Sequence, residues 1–315
     1  MFQYLIILLD DTSVSYCHYE NPKRERKLIS LENLKKGILF AMKQNLMIQF
    51  VFPDYDLPNE YKIAIESIDS NKIVSSAEIE KNADVVVFNG FENLADYDFS
   101  DSEQKAFVIR VSKTDLIENC EKAVSVLGKI SRLNIVLTDV EGFKDTDFEQ
   151  YKAVLDKLKT AVKEISENGR FPQLNLLTDR ILLDKMNNCN AGIENITLAP
   201  NGKFYICPAF YFENENDFVG DLQSGIDIKN RQLYRLEYAP LCRTCDAYQC
   251  KRCVWLNRKT TLEVNTPSHE QCVISHLERN TSRELLLDLQ KYNVFLDKSI
   301  EEIDYLDPFE IKDKR

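Results

Sequence analysis

The stretch CRTCDAYQCKRC, from Cys242 to Cys253, places four cysteines as two CxxC pairs with four residues between them. Two residues between thiolates let both sulfurs reach one ion or one cluster, so such pairs hold soft metals. Three more cysteines surround the knot. Cys189 and Cys207 precede it, the second closing a turn that opens at Gly202, and Cys272 follows. Seven thiolates exceed what one tetrahedral ion needs. They suit two centres, most naturally iron–sulfur clusters. Zinc is the competing metal, but zinc ribbons set their CxxC pairs a dozen or more residues apart so that two knuckles can face each other. His269 and His276 flank Cys272 and are also able to enter a zinc site. A disulfide framework needs an oxidising compartment, which nothing else in the chain supports.

Outward from the knot, the bulk properties narrow the field. The 315 residues fit one large domain or two smaller ones, and 44% hydrophobic with 29% charged content is ordinary for a globular chain. A net charge of −11 argues against nucleic acid as the main partner, because a phosphate backbone needs a basic surface. No apolar run reaches the roughly 18 residues of a membrane span. The apolar start, Met1 to Leu9, ends in Asp10 and Asp11 and reads as a first strand, not a signal peptide. Clustered cysteines in such a chain predict a reducing cytoplasm.

The first 180 or so residues alternate between two periodicities. Apolar runs predict strands at Tyr4–Leu9, Met47–Phe52, Ile73–Val74 with Val85–Phe88, Phe107–Val111, Leu133–Leu137 and Leu174–Leu177. Nearly free of charge, they suit parallel strands buried on both faces. Helical spacing appears over Leu31–Asn45, Leu116–Leu127 and Asp147–Asn168. The last carries a stripe from Phe148 to Ile165, a Thr146/Glu149 capping box and a closing Gly169. Six strand–helix units predict an open, partial (β/α)6 TIM-like barrel, with a flat doubly wound sheet as the alternative. Active sites of such folds lie at the carboxyl ends of the strands. Here those ends carry Asp10, Asp11, Asp54, Asp139 and Asp179, which together suggest an acidic mouth for a peptide amide or a cation; singly, each is an ordinary turn or cap residue.

Other chemistries find little support. With nine glycines and no GxGxxG or Walker loop, a nucleotide cradle is not expected. No HExxH or GxSxG is present, which leaves hydrolase chemistry unsupported. Cys120 falls on the apolar face of its helix, between Leu116 and Val124, and reads as a core thiol. Cys17, beside His18 after the first strand, reads as an ordinary loop residue in an aromatic turn rather than an activated nucleophile.

The cysteine pattern from about residue 185 to 280 resembles the SPASM domain of radical-SAM peptide-modifying enzymes. Cys189, Gly202 and Cys207 fall at that family's spacing, two spacings within the knot are one residue short, and Gly220-Asp221-Leu222 is similar to its connecting segment. The resemblance implies a barrel over 1–182 and a SPASM-like metal-binding domain over 183–280; the spacing of Leu285, Leu286, Leu289 and Tyr292 predicts that 281–315 opens with an amphipathic helix, and it ends in a charged tail after Pro308. It implies two [4Fe–4S] clusters. Cys189, Cys207 and Cys253 would hold the first; Cys242, Cys245, Cys250 and Cys272 the second. The fourth iron of the first would be open, bound by a peptide thiol, or held by a residue the motif does not name.

The chain departs from the family where CxxxCxxC should follow the first strand, since only Cys17 stands there. One thiolate does not hold a four-iron cluster. Pro53-Asp54-Tyr55-Asp56 replaces the family's glycine-rich methionine-binding segment, so cleavage of S-adenosylmethionine is not expected. Over its whole length the chain is similar to the CXXX repeat peptide maturase group, on the stretches Leu28–Glu32 and Gly37–Ala41. That resemblance implies a ribosomally made, cysteine-containing peptide as substrate, and an active maturase as a further partner. The alternative function is a scaffold that binds peptide or protein, with clusters or zinc only stapling its C-terminal part.

Overall fold

The computed structural model describes residues 2–77 and 83–300. Its frame is a nine-stranded sheet in the order β7-β6-β5-β4-β3-β2-β1-β8-β9. The strands are β1 (Tyr4–Leu8), β2 (Met47–Val51), β3 (Ser70–Ser75), β4 (Val85–Asn89), β5 (Ala106–Val111), β6 (Arg132–Leu137), β7 (Gln173–Leu174), β8 (Asn195–Leu198) and β9 (Phe204–Tyr205). All pairings are parallel except β8 with β9. The first seven strands follow sequence order across the sheet. Successive right-handed crossovers in one direction put the connecting helices on one face, which separates this sheet from a doubly wound one. It is open, with β7 and β9 at its edges.

The connecting helices are α1 (Leu31–Gln44), α2 (Asn59–Glu66), α3 (Lys113–Leu127) and α4 (Asp145–Glu167). Ser30 caps α1 and Ser112 caps α3, each hydroxyl accepting from a backbone N–H of the first turn. Leu5, Ile7, Leu8, Phe50, Val87 and Ile109 are fully buried, as the charge-poor strand runs predict.

Three details differ from the sequence expectations. The apolar pair Ile73–Val74 and the run Val85–Phe88 are two adjacent strands, not one unit; β3 recruits polar Ser70, Asn71 and Lys72 because a ladder pairs backbones. Helix α4 starts at Asp145, and the Asp147 carboxylate accepts the Lys144 N–H at 2.8 Å in place of a Thr146/Glu149 box. Strand β7 stops at Leu174 because the Asn175 side chain takes over the ladder, bonding both N–H and C=O of Ile135 at 2.8 and 2.9 Å. The chain then turns into α5 (Thr178–Leu182).

Beyond α5 the chain returns to the sheet. Strand β8 adds beside β1, with Tyr4 opposite Asn195, and β9 folds back on it. Their turn needs Gly202, whose φ is +78° and whose added Cβ would stand 2.7 Å from the Asn33 amide. Helix α6 (Pro208–Glu213), the small hairpin β10 (Gly220–Asp221) with β11 (Gly225–Ile226), α7 (Val254–Thr261) and α8 (His269–Gln290) complete the fold. Helix α8 is continuous through Asn280 and Thr281 and packs on α4 and α5: Tyr151 donates to Glu278, and Ser282 to the Leu177 carbonyl. Its Leu285, Leu286 and Leu289 are buried, as the amphipathic spacing predicts. The charged end after Pro308 lies outside the described residues.

Candidate metal centres and the cleft beside them

The loop after β1 is folded down tightly. Asp10 is fully buried and accepts from the Thr12 N–H, the Thr12 hydroxyl and the Tyr55 phenol. Asp11 accepts from Tyr211 of α6 and from Lys23 at 3.1 Å. Asp54 is exposed and joins this group through Thr12. The other two candidate carboxylates are elsewhere. Asp139 accepts the Lys113 N–H at the start of α3, and Asp179 pairs with Arg132, the first residue of β6, at 2.9 Å. The structure therefore gathers Asp10, Asp11 and Asp54, and gives the remaining two separate partners.

Arg110 organises the far side of this loop, and motif reading missed it. Its side chain is buried; it donates to the Cys17 and Tyr19 carbonyls at 2.8 and 2.6 Å, to Asn89 at 2.7 Å and to Glu20 at 2.8 Å. A lone cation inside the apolar run Phe107–Val111 was the available signal, because a buried arginine must find acceptors. Arg110, Glu20 and Asn89 line both halves of a polar cleft at the carboxyl ends of the strands, of about 250 and 640 Å³. The smaller half carries Lys23 and Arg24 besides Asp54, so its lining mixes both charges.

The cysteines fall into two sets. Cys207 is the N-cap of α6, and Cys253 is the N-cap of α7, its sulfur accepting the Leu256 N–H at 3.4 Å. The two helices are tied together: Trp255 donates to Glu213 at 2.8 Å, and Arg258 bonds Glu213 and Asp217, both at 2.7 Å. Burial raises the Cys207 thiol, and the charges of Cys253 and Cys189 raise it further. Burial and then Cys189 push Cys253 up to about 12. Burial, Cys189 and Cys253 together push Cys17 well up. These four thiols are therefore electrostatic neighbours, and a raised Cys17 is a poor nucleophile.

The second set surrounds α8. Burial, then Cys242, raises Cys250 to about 12, and burial raises Cys242 to about 11 with Cys245 adding to it. Ser275 donates to the Cys250 sulfur at 3.3 Å, and buried His276 stands 3.7 Å from that of Cys245. Cys272 shares a helix face with Ser275 and His276, three and four residues on. His269 instead meets the Phe148 ring edge-on. Cys120 is buried in the sheet-side core, as expected.

Thiolates of a tetrahedral zinc at about 2.3 Å stand about 3.8 Å apart. Among the described residues no three His, Cys, Asp or Glu side chains converge in the manner of a single bound ion. A four-iron cube spreads its ligands more widely, since each thiolate binds a different corner. Cys189 is exposed and Cys17, Cys207 and Cys253 partly so, yet burial is the leading cause raising all four thiols. The residues present thus fit clusters better than one ion.

Arg252 stands between the two sets. It is 2% exposed, its Nε has no hydrogen-bond partner, and its charge acts on Cys189, Cys253 and Cys242. A buried guanidinium keeps its charge, so it calls for negative charge nearby.

No protein-family model matches the chain, and no curated protein matches it. Solved structures share its fold. The chain is similar to histidine-tagged anSMEcpe with bound AdoMet, at TM-score 0.64 and 13% identity over 93% of this chain and 100% of that one. Native anSMEcpe with bound AdoMet and Cp18Cys peptide gives TM-score 0.64 and 13% identity over 92% and 100%. A weaker likeness, TM-score 0.45 and 14% identity over 84% and 75%, is to Streptococcus suis SuiB bound to precursor peptide SuiA. No helix among the described residues is long and apolar enough to cross a membrane.

Proposed function

We propose that this chain takes part in maturing a ribosomally made, cysteine-containing peptide, which it binds in the cleft beside Arg110. On this reading it is a relative of the CXXX repeat peptide maturase group. It keeps a SPASM-like part with two [4Fe–4S] clusters and has lost cleavage of S-adenosylmethionine, so an active maturase supplies the radical chemistry. One observation carries the reading: the fold likeness to anSMEcpe runs through the whole of that protein, which has been solved with AdoMet and a peptide. The loop after β1 supports the loss. It holds one thiol where a SAM-cleaving cluster needs three, and Asp11, Tyr19 and the Cys17 carbonyl are committed to internal contacts. When bound, the clusters would supply electron transfer. Exposed Arg24 would hold peptide carbonyls and carboxylates, and exposed Asp54 its amides and amines.

Anaerobic reconstitution with iron and sulfide, followed by titration with a synthetic peptide carrying Cys-x-x-x repeats, tests this. The expected outcome is about eight iron per chain, as two four-iron clusters require, saturable binding that weakens in Arg24→Ala, and no 5′-deoxyadenosine from S-adenosylmethionine plus reductant. Stoichiometric zinc without sulfide would remove the clusters. Sustained 5′-deoxyadenosine would remove the dependence on a partner.

A further inference from the structure

The seven motif cysteines leave one cluster short of a thiolate, and the fold brings an eighth cysteine to that place. We propose that Cys17 is the fourth protein ligand of the first metal site, with Cys189, Cys207 and Cys253. The inference rests on the reading that these cysteines hold iron–sulfur clusters.

Its first support is how the Cys17 loop is docked. Tyr16 meets Tyr19 edge-to-face at 6.0 Å, and Tyr19 stacks on Phe212 of α6, the helix that Cys207 caps. Asp11 and Lys23 bind the same helix through Tyr211, the lysine lying 3.9 Å over its ring. Arg110 holds the Cys17 carbonyl from the opposite side. The loop is thus clamped against α6 at one face and against β5 at the other, with Cys17 between them. Cys253 caps α7, which the bonds of Trp255 and Arg258 to Glu213 at the end of α6 tie to the same helix.

The second support is an unmatched charge. Arg252, next to Cys253 in sequence, is buried with its Nε unpartnered and asks for anionic sulfur nearby. The third is number: with Cys17 the thiols divide as four and four, the complement of two four-iron clusters.

Binding requires no oxidant or reductant. Cys17 gives its thiol proton to solvent as its sulfur bonds to the fourth iron. A site closed in this way offers no open iron to a peptide thiol. It also ties the loop after β1 to the cysteine-rich part, so the residue left where a SAM-cleaving cluster would sit becomes a structural link.

The test compares reconstituted wild type with Cys17→Ala, Cys17→Ser and the core control Cys120→Ala. Wild type and the control are expected to hold about eight iron. Cys17→Ala should fall toward about four, or show a three-iron EPR signal when oxidised, because an unligated corner is lost readily. Full iron with an unchanged EPR spectrum in Cys17→Ala overturns the proposal. A wild type that takes up no iron and sulfide overturns the underlying cluster reading instead. Should the variants misfold, wild type alone decides. Mass spectrometry after iodoacetamide treatment should find Cys17 protected in loaded protein as fully as Cys207, and alkylated after chelator treatment. Equal alkylation of Cys17 in both states overturns the assignment.

Discussion

Tyr19 stacks on Phe212, with ring centroids 5.6 Å apart and planes 20° from parallel. The contact joins the loop after the first strand to a helix almost two hundred residues later. Phe212 is 6% exposed, so its ring is a core residue as well as a staple. Phe212→Ala should cost about 3–5 kcal/mol, as for other buried aromatics. Its particular signature is local: amide exchange at Ser13–Cys17 should quicken more than exchange in β5. Uniform quickening across the sheet would mean that the ring only fills space.

Gly37 lies inside α1, where alanine would normally add up to about 1 kcal/mol of stability. Here an added Cβ would stand 2.5 Å from Leu198 Cδ2, and Leu198 is fully buried in β8. The leucine has to leave its rotamer, so Gly37→Ala should instead destabilise by about 1–3 kcal/mol. The denaturation midpoint should fall with the slope unchanged. A rise would show that Leu198 repacks freely and that α1 does not need this close approach to β8.

The sheet was largely legible because its signal is local. Runs such as Tyr4–Leu9 and Phe107–Val111 needed only their own composition to read as buried parallel strands. What stayed hidden depends on partners distant in sequence. Gln173–Leu174 is a short strand because an Asn175 side chain completes the ladder of β6. The Asp10 and Asp11 carboxylates looked like a mouth but are committed to Tyr55, Lys23 and Tyr211. The knot itself was plain from its spacing. Cys17 was not, since nothing in Ser15–Tyr19 says that this loop docks on α6, the helix that Cys207 caps. Arg110 did leave a trace, as the single charge in an apolar strand.

Glu278 is buried on α8, and burial raises its carboxyl to about 7 while the Tyr151 phenol holds it partly in check. An unfolded glutamate ionises near 4.3, roughly, so below that pH both states are protonated and no penalty exists. As pH rises toward 7 the unfolded chain ionises first and stability falls. Above about 7 the whole penalty is present. Glu278→Gln keeps an acceptor for Tyr151 and removes the charge. The variant should melt higher than wild type at pH 8, by the equivalent of roughly 1–3 kcal/mol, and alike at pH 4.5. A difference independent of pH would mean that Glu278 does not change charge on folding.

Arg252 should change the sign of its effect with metal. It is 2% exposed, and its guanidinium bonds the Tyr234 carbonyl, at 3.3 Å from both terminal nitrogens, and the Cys242 thiol. In metal-free protein the surrounding thiols are neutral, because burial holds Cys242 and Cys253 up at about 11 and about 12. The buried cation then lacks a counter-charge, and Arg252→Met should leave stability unchanged or raise it, by up to about 4 kcal/mol. In loaded protein the same thiols are thiolates on either side of the arginine. Removing the cation then leaves their charge unbalanced, so the variant should be less stable than loaded wild type and release its metal at a higher pH. Melting both proteins with and without chelator treatment measures the two signs. A loss of equal size in both states would show that its neutral hydrogen-bond partners satisfy Arg252, and that its place between the two sets of thiols has no electrostatic role.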